Sequence, residues 1–582
     1  MSDTGSRIIR YYGDFRGIDL RGEECALVRS PDCKNVWRNY KDLASIETRP
    51  GLKLEHTFPT ENEGEALYRV LFFKDKLVAI TNYGMYTTNG NEEFKPIQEN
   101  KHEYFKIRIA FEFGDYLYFM HRGGYYRYDG TAVEKVDPYV PTTSIGRTPK
   151  GEGTTYQDVN LLTNKRINEF TADGVSVRFY LDTTELRSDY NYEYTRVYNI
   201  ETGEQFPSNK ETFVFDMQNN AILFQEAPPK STTGRDNIRI VFRAGPDQQS
   251  TVYDNTHAQV FDNRVFLGGS KETPNRIWYS QLEAPNYFSD LDYCDDGVDS
   301  AMIKGMVPGN NALWVFREPS DTNTNVFYHV PSIDEQEGKI YPSAHSSVSL
   351  GCVGGAINFN DDIAFFSPNG MEGISADITT EQFASHRSSA VDRLMTAHSN
   401  YKEMLLEEWN GYLLVIMGNE VYLADSRAKY DNEGHMEYEW YYWDLSNEIG
   451  DKATIICSTV HDGVLYVGTD KCEIYSLTDT SPERKIHSYW TTPKDKFNSP
   501  NKTKTTNKRG CVVEGEGDIK VWAKTEDTEY QPVGEFTGIK DYLVPRIKQK
   551  KFKDLQLKFE SDTSFKLENV TIEAVVGGYI KR

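Results

Sequence analysis

Asp290, Asp292, Asp295, Asp296 and Asp299 form the densest group of side chains with obvious chemical potential. Carboxylates spaced this closely invite a calcium-loop reading. Such a loop also needs oxygen ligands at set offsets, a glycine at its sharp turn and a late bidentate glutamate. Gly297 is present, but the offsets do not fit and the glutamate is missing, so the stretch reads as a solvated loop. The eleven histidines are scattered, with neither His-x-x-x-His nor His-Glu-x-x-His. The seven cysteines (Cys25, Cys33, Cys294, Cys352, Cys457, Cys472 and Cys511) are odd in number and lack a Cys-x-x-Cys pair. Zinc is therefore not expected, and the thiols read as reduced and packed. No nucleophile elbow, no phosphate-binding P-loop and no Ser-x-Asp-x-Gly-x-x-Trp box of sialidases occurs. The run Lys548-Gln549-Lys550-Lys551-Phe552-Lys553 could meet phosphate, but fits better a solvated strand edge whose charge discourages pairing. No catalytic, cofactor-binding or metal-binding residue is assigned, and no cofactor is expected.

The elements that would position any site show a repeat. Trp409-Asn410-Gly411-Tyr412-Leu413-Leu414-Val415-Ile416 places an Asn-Gly turn before a strand apolar on both faces. Asn-Gly suits the left-handed dihedrals of a type I′ hairpin. Similar units begin their turns at positions 75, 114, 262, 310, 360 and 462. Successive intervals are 39, 148, 48, 50, 50 and 52 residues. Small antiparallel units recurring every ~40–50 residues predict β-propeller blades. A lone blade cannot bury both faces; radial stacking lets each cover its neighbours. Seven blades are expected, with six or eight also compatible.

The 148-residue interval predicts an inserted domain, residues 148–250, after a flexible linker at Lys150-Gly151-Glu152-Gly153. Short alternating strands near 175–180, 194–198, 212–215, 221–224 and 237–242 suggest a small β-sandwich. The propeller then occupies 64–147 and 251–497, with a short helix at 388–395 opened by serine. Residues 494–508 read as a polar linker, and 498–582 as a C-terminal β-sandwich-like domain. The chain is all-β in this reading. Its 582 residues carry a formal charge of −23 and are 13% aromatic. That acidity argues against wrapping nucleic acid by counterion release. Met1–Arg10 has no apolar core of a secretory signal, and no apolar run is long enough to span a membrane.

Residues 1–63 read as an extended N-terminal arm that pins the start of the chain to the propeller, with Trp37 as an anchor. Ser30-Pro31-Asp32, Asn35 and Trp37, then Glu47-Thr48-Arg49-Pro50-Gly51 and the propeller repeats, resemble the packed-DNA stabilisation or tail-nozzle β-propellers of tailed-bacteriophage virions. The resemblance implies a non-enzymatic structural protein in a ring at the head-to-tail junction or tail nozzle, a hexamer in that family. The ring retains packaged DNA and lets it pass on ejection. Implied partners are further copies of the chain, portal, adaptor or other tail proteins, tail fibres, and genomic DNA in transit. Its place is the virion, after synthesis in the host cytoplasm. The alternative is a carbohydrate-binding or glycoside-hydrolysing propeller, which needs two carboxylates facing each other about 5–9.5 Å apart.

Overall fold

The computed structural model describes residues 6–580, apart from 43, 58–64, 89–94, 100–106, 108, 122–123, 187–191, 322–323, 335–337, 375–383, 433–434, 450–452, 480–484, 527, 539–540 and 544–550. The chain is a β-propeller. Its described residues hold seven four-stranded antiparallel sheets. Six run in simple sequence order. Their first strands are Leu67–Phe73, Ile109–Phe113, His257–Phe261, Ile303–Gly309, Ala356–Phe359 and Leu405–Trp409, which define blades 1 to 6. Blade 7 comprises Ile455–His461, Val464–Thr469 and Glu473–Asp479, and Gly51–Thr57 from the arm supplies its fourth strand.

The repeated turns make each blade's first hairpin. Trp409 pairs with Tyr412 across Asn410 and Gly411, at φ +51° and +78°. Lys74-Asp75, Asp262-Asn263, Asn310-Asn311, Asn360-Asp361 and Asp462-Gly463 likewise hold two successive positive φ values. A type I′ turn needs this geometry, because its twist matches that of the strands it joins. The strand after the turn is buried along its length: Tyr412–Met417, Asp362–Ser367 and Ala312–Arg317 are covered at every residue. A middle strand between two neighbouring blades has no solvent face, so its interior is a run of apolar residues rather than an alternation, with polar residues such as Asp362, Ser367 and Arg317 only at the ends.

The chain divides into two compact units: residues 1–105, 318–326 and 346–582 form one, and residues 106–317 and 327–345 the other. The second unit holds blades 2 to 4 and the inserted domain. The insertion has a six-stranded sheet that includes Lys165–Phe170 and Ile238–Arg243, and a three-stranded sheet of Arg178–Tyr180, Ala221–Phe224 and Phe213–Asp216. Phe170, Ile240 and Phe242 from the first sheet meet Phe179, Phe213 and Phe224 from the second in one core, as in a sandwich. The sheet already includes Thr142–Arg147, ahead of the expected boundary at 148. Lys150–Gly153 is not a linker. It is the bend that returns Thr154–Thr155 onto Ser144 and Ile145, held by hydrogen bonds from Thr148 N–H to the Glu152 carbonyl and from Gly151 N–H to the Thr148 carbonyl.

The first unit holds blades 1, 5, 6 and 7 and two C-terminal sheets. Lys502–Gly517 pairs with Phe565–Tyr579, and Ser488–Thr491 pairs with Gln556–Ser561. From Lys502 onward the stretch 494–508 is thus strand rather than linker, and the C-terminal sheets begin before residue 498. Lys-Thr alternation concealed this strand. Lys504 is buried, with its Nζ donating to the Lys553 carbonyl at 2.5 Å. Nor is the arm a separate segment. Arg7–Tyr12 and Ile46–Thr48 pair with Phe565–Tyr579, and Cys33–Lys34 pairs with Ser488–Thr491. The helix expected over 388–395 is only Asp392–Met395. Ser388 does not cap it, but accepts a hydrogen bond from Met371 N–H and donates to Asp392.

Candidate functional site

The residues carrying the arm pattern converge on one buried polar junction within the first unit. Asn35 sits at φ +57°, which turns its side chain inward. Its amide donates to the His487 carbonyl at 2.9 Å, while its Oδ1 accepts from Arg49 Nε at 3.0 Å and from Asp444 N–H at 2.8 Å. Arg49 continues to the Asp444 carbonyl at 2.9 Å and to Glu448, which also accepts from Leu52 N–H at 2.8 Å. Ser30 Oγ lies 2.7 Å from the Thr491 carbonyl, and Asp32 accepts from Tyr489 at 2.9 Å. Glu47 accepts from Asn39 at 2.9 Å, and burial raises its pKa. Gly51 opens the strand that completes blade 7. These residues join the arm to blade 6, blade 7 and a C-terminal sheet.

Trp37 is the apolar centre of this junction. Its ring lies 5.3 Å from those of Trp409 and Tyr412 and 6.1 Å from that of Trp443. Edge-on and tilted contacts of this kind add to the area buried. The arm also follows His435–Asp444, the outer strand of blade 6. Ile18 N–H donates to Trp440 O at 2.7 Å, and Asn35 N–H to Tyr442 O at 2.9 Å. Gly17 makes the approach possible: its φ is +78°, and a Cβ there would stand 2.3 Å from Trp440 O.

Beneath the arm lies an ionic layer. Arg38 donates to Glu439 at 2.6 Å and to Asp14 at 3.0 Å. Glu439 is fully buried, and that burial, against the pull of Arg38, lifts its pKa to about 7. Arg29 lies 3.8 Å from Asp19 and 3.7 Å from Glu437. Asp19, Arg21, Cys25 and Arg29 border an open cleft of about 430 Å³. Burial pushes the Cys25 thiol up to about 12, which leaves it a poor nucleophile at neutral pH.

The structure does not gather the aspartates of 290–299 into one site. Asp295 pairs with Arg276 at 2.6 Å, Asp296 meets His329 at 3.2 Å, Asp299 pairs with Arg317, and Asp292 accepts from Gln281. Among the described residues no group of three or more His, Cys, Asp or Glu is placed to hold a metal ion. In the basic run, Lys551 and Lys553 are exposed on either side of buried Phe552. Residues 548–550 lie outside the described residues.

One constellation escaped sequence reasoning. His386 lies between Glu372, 2.9 Å from Nδ1, and Asp392, 2.6 Å from Nε2, while Ser388 donates to Asp392. The residue types are those of a nucleophilic triad, but the geometry is not. Both ring nitrogens face carboxylates, so neither is aimed at a hydroxyl as a base would be. Burial opposes the charge, yet the two carboxylates outweigh it and hold the imidazole protonated, with a pKa of about 10. It is a structural cation. His386, Ser388 and Asp392 are close in sequence, but only the blade 5 fold brings Glu372 beside them.

No family model matches the chain, and no curated protein matches it. Among solved structures it is similar to BamB from Moraxella catarrhalis, at 11% identity over 73% of this chain and 97% of that one, with a TM-score of 0.33. Citrobacter koseri AztD is 10% identical over 89% and 99% of the respective chains, with a TM-score of 0.30. The exo-beta-1,3-galactanase of Phanerochaete chrysosporium is 9% identical over 54% and 94%, with a TM-score of 0.21.

Proposed function

We propose that this chain is a structural subunit of a tailed-phage particle, one of several copies in a ring at the head-to-tail junction or tail nozzle that retains packaged DNA and lets it pass. The observation that supports this most is the arm junction. The residues shared with the nozzle-type pattern interlock the arm with two blades and a C-terminal sheet, and none is held ready for catalysis. A chain whose ends and last blade are cross-braced in this way suits a part that bears load. The formal charge of −23 suits a wall past which DNA slides without sticking, since attraction would need Lys and Arg facing phosphate. A duplex roughly 20 Å across, a width set by its two grooves, is too broad for the axis of one seven-bladed propeller, so its path runs between copies.

The test is to image the purified chain, alone and with portal or adaptor components, and to locate it in a virion. The expected result is a closed ring that binds duplex DNA weakly and loses it with modest salt. A chain that stays monomeric in the particle, a ring channel lined mainly by Lys and Arg, or release of reducing sugar from a polysaccharide would overturn the reading.

A further inference from the structure

The C-terminal sheet that holds Ser488–Thr491 and Gln556–Ser561 continues through Ile519–Lys524 and ends at Gln531–Phe536. Burial alternates along Ile519–Lys524: Ile519, Val521 and Ala523 face the core, and Lys520, Trp522 and Lys524 face outward. The edge strand carries a β-bulge. Val521 pairs with Gly534 and Trp522 with Pro532, so Val533 is the extra residue, and it packs against the core. The same pairing sets Glu535 beside Lys520, and Pro532 beside Trp522, on the outer face. An open cleft of about 470 Å³ is lined by Lys520, Val521, Trp522, Pro532, Gly534 and Glu535. That volume falls within the roughly 300–1,000 Å³ of small-molecule sites.

The cleft has an apolar end and a polar end. At the apolar end stand the half-buried Trp522 and the exposed Pro532. Trp522 Nε1 is buried with no hydrogen-bond partner among the described residues, so it is the carbon part of the ring that reaches the surface. A buried donor left unmet is a cost that packing alone does not explain. At the polar end, Lys520 Nζ is held by Asp562 at 3.3 Å, and Asp562 also meets His487 Nδ1 at 2.9 Å. Glu535 is exposed and makes no hydrogen bond or ion pair among the described residues. A proline and a charge guard this edge against an added strand, which leaves the side-chain cleft as the feature a ligand would use. Its ammonium only donates, and its carboxylate, when ionised, only accepts. An anion would meet Lys520 but be opposed by Glu535, and a cation would be opposed by Lys520. A proline-rich peptide offers carbonyl acceptors and leaves Glu535 without a donor. Hydroxyl groups donate and accept, so they satisfy both. A sugar ring carries hydroxyls around its rim and C–H bonds on its face, and that face matches the apolar surface of Trp522 and Pro532.

We infer that the Trp522 cleft binds a neutral saccharide, with its C–H face against Trp522 and Pro532 and its hydroxyls on Lys520 and Glu535. The site binds without cleaving: Glu535 is the one carboxylate among its lining residues, and glycoside hydrolysis needs a facing pair. The inference goes beyond the ring reading and stands apart from it, since a ring that binds no sugar would overturn this inference alone.

The experiment titrates the full-length protein with glucose, galactose, mannose, rhamnose and N-acetylglucosamine, read by saturation-transfer NMR and calorimetry at constant ionic strength. Galacturonate and glucosamine serve as charged counterparts, and tetraproline as the peptide probe. The expected result is saturable binding of a neutral sugar at about 1–10 mM, tighter than that of the charged counterparts and of tetraproline. Trp522→Ala should weaken that binding by about tenfold or more, and Trp522→Phe, which keeps an aromatic face, should weaken it less. Glu535→Gln, at an exposed position, should weaken the neutral sugar by about threefold or more and narrow the gap between galactose and galacturonate. Circular dichroism and melting of each variant separate ligand loss from unfolding, and Glu535→Gln decides the matter where Trp522→Ala does not fold. No saturable binding of any neutral sugar, a preference for a charged counterpart or for tetraproline, or binding unchanged in either folded variant would overturn the inference.

Discussion

Trp37 was legible as an anchor because a lone tryptophan in a polar arm needs an apolar seat. What it anchors to was not legible, since Trp409, Tyr412 and Trp443 are more than 350 residues away. Trp37→Ala should cost about 3–5 kcal/mol, the range for emptying a buried aromatic site, read as a lowered denaturant midpoint. The His386 clamp has a defined pH signature. Its folded pKa, about 10, lies above the ordinary value of 6.5. Its stabilisation is therefore complete below pH 6.5, declines as pH rises, and is gone above about 10. The stability gap between the native chain and His386→Gln should shrink across that window; a gap independent of pH would contradict the clamp. Glu439 is a carboxylate with a raised pKa, about 7 against 4.5, so the folded state holds its proton more tightly. Its contribution is greatest below pH 4.5 and falls as pH rises to 7. Glu439→Gln should flatten that part of the stability-versus-pH curve.

At the scale of elements, the turns were the most legible feature, because a two-residue hairpin is a local contest between backbone dihedrals and residue type. Asn311 sits at φ +60° as the second residue of its turn, where glycine carries no Cβ penalty. Asn311→Gly should be neutral or stabilise by a few tenths of a kcal/mol, whereas Gly411→Val, at φ +78°, should cost about 1–2 kcal/mol. Thermal unfolding of the pair would show opposite signs or a clear difference in size. The strand Gly51–Thr57 was less legible. It completes blade 7 by pairing with Glu473–Asp479, and nothing local in either stretch names the other. A chain lacking residues 1–57 leaves that edge unpaired and should associate through it, seen as higher-order species in size-exclusion chromatography.

At the scale of the molecule, the insertion was readable as excess length but its seams were not. Leu161 and Leu162 lie inside the expected 148–250 block, yet they are buried with residues of blades 2 and 3, and Leu161 N–H donates to the Phe288 carbonyl. Removing 148–250 should therefore unsettle those blades. Lys165 and Arg243 are paired partners on adjacent strands, so replacing 166–242 with a short glycine link closes a gap the fold already spans. The second deletion should remain soluble and strand-rich by circular dichroism, and the first should precipitate or lose its cooperative transition. Equal behaviour would mean the segment around Leu161 is not part of the propeller core.

The sequence by itself determined the all-β class, the seven turns and the rhythm of the blades, because these follow from residues within a few positions of one another. It also named the arm residues, through pattern rather than through contact. Only the tertiary structure decided that Gly51–Thr57 belongs to the last blade, that arm strands share sheets with 488–582, and that Lys502–Gly517 is strand rather than linker. It alone separated the five aspartates and set Glu372 beside His386. Those outcomes depend on which distant strand supplies a hydrogen-bonding edge or a charge. Backbone edges are chemically alike along the chain, so local residue type does not specify the partner; burial of the whole does.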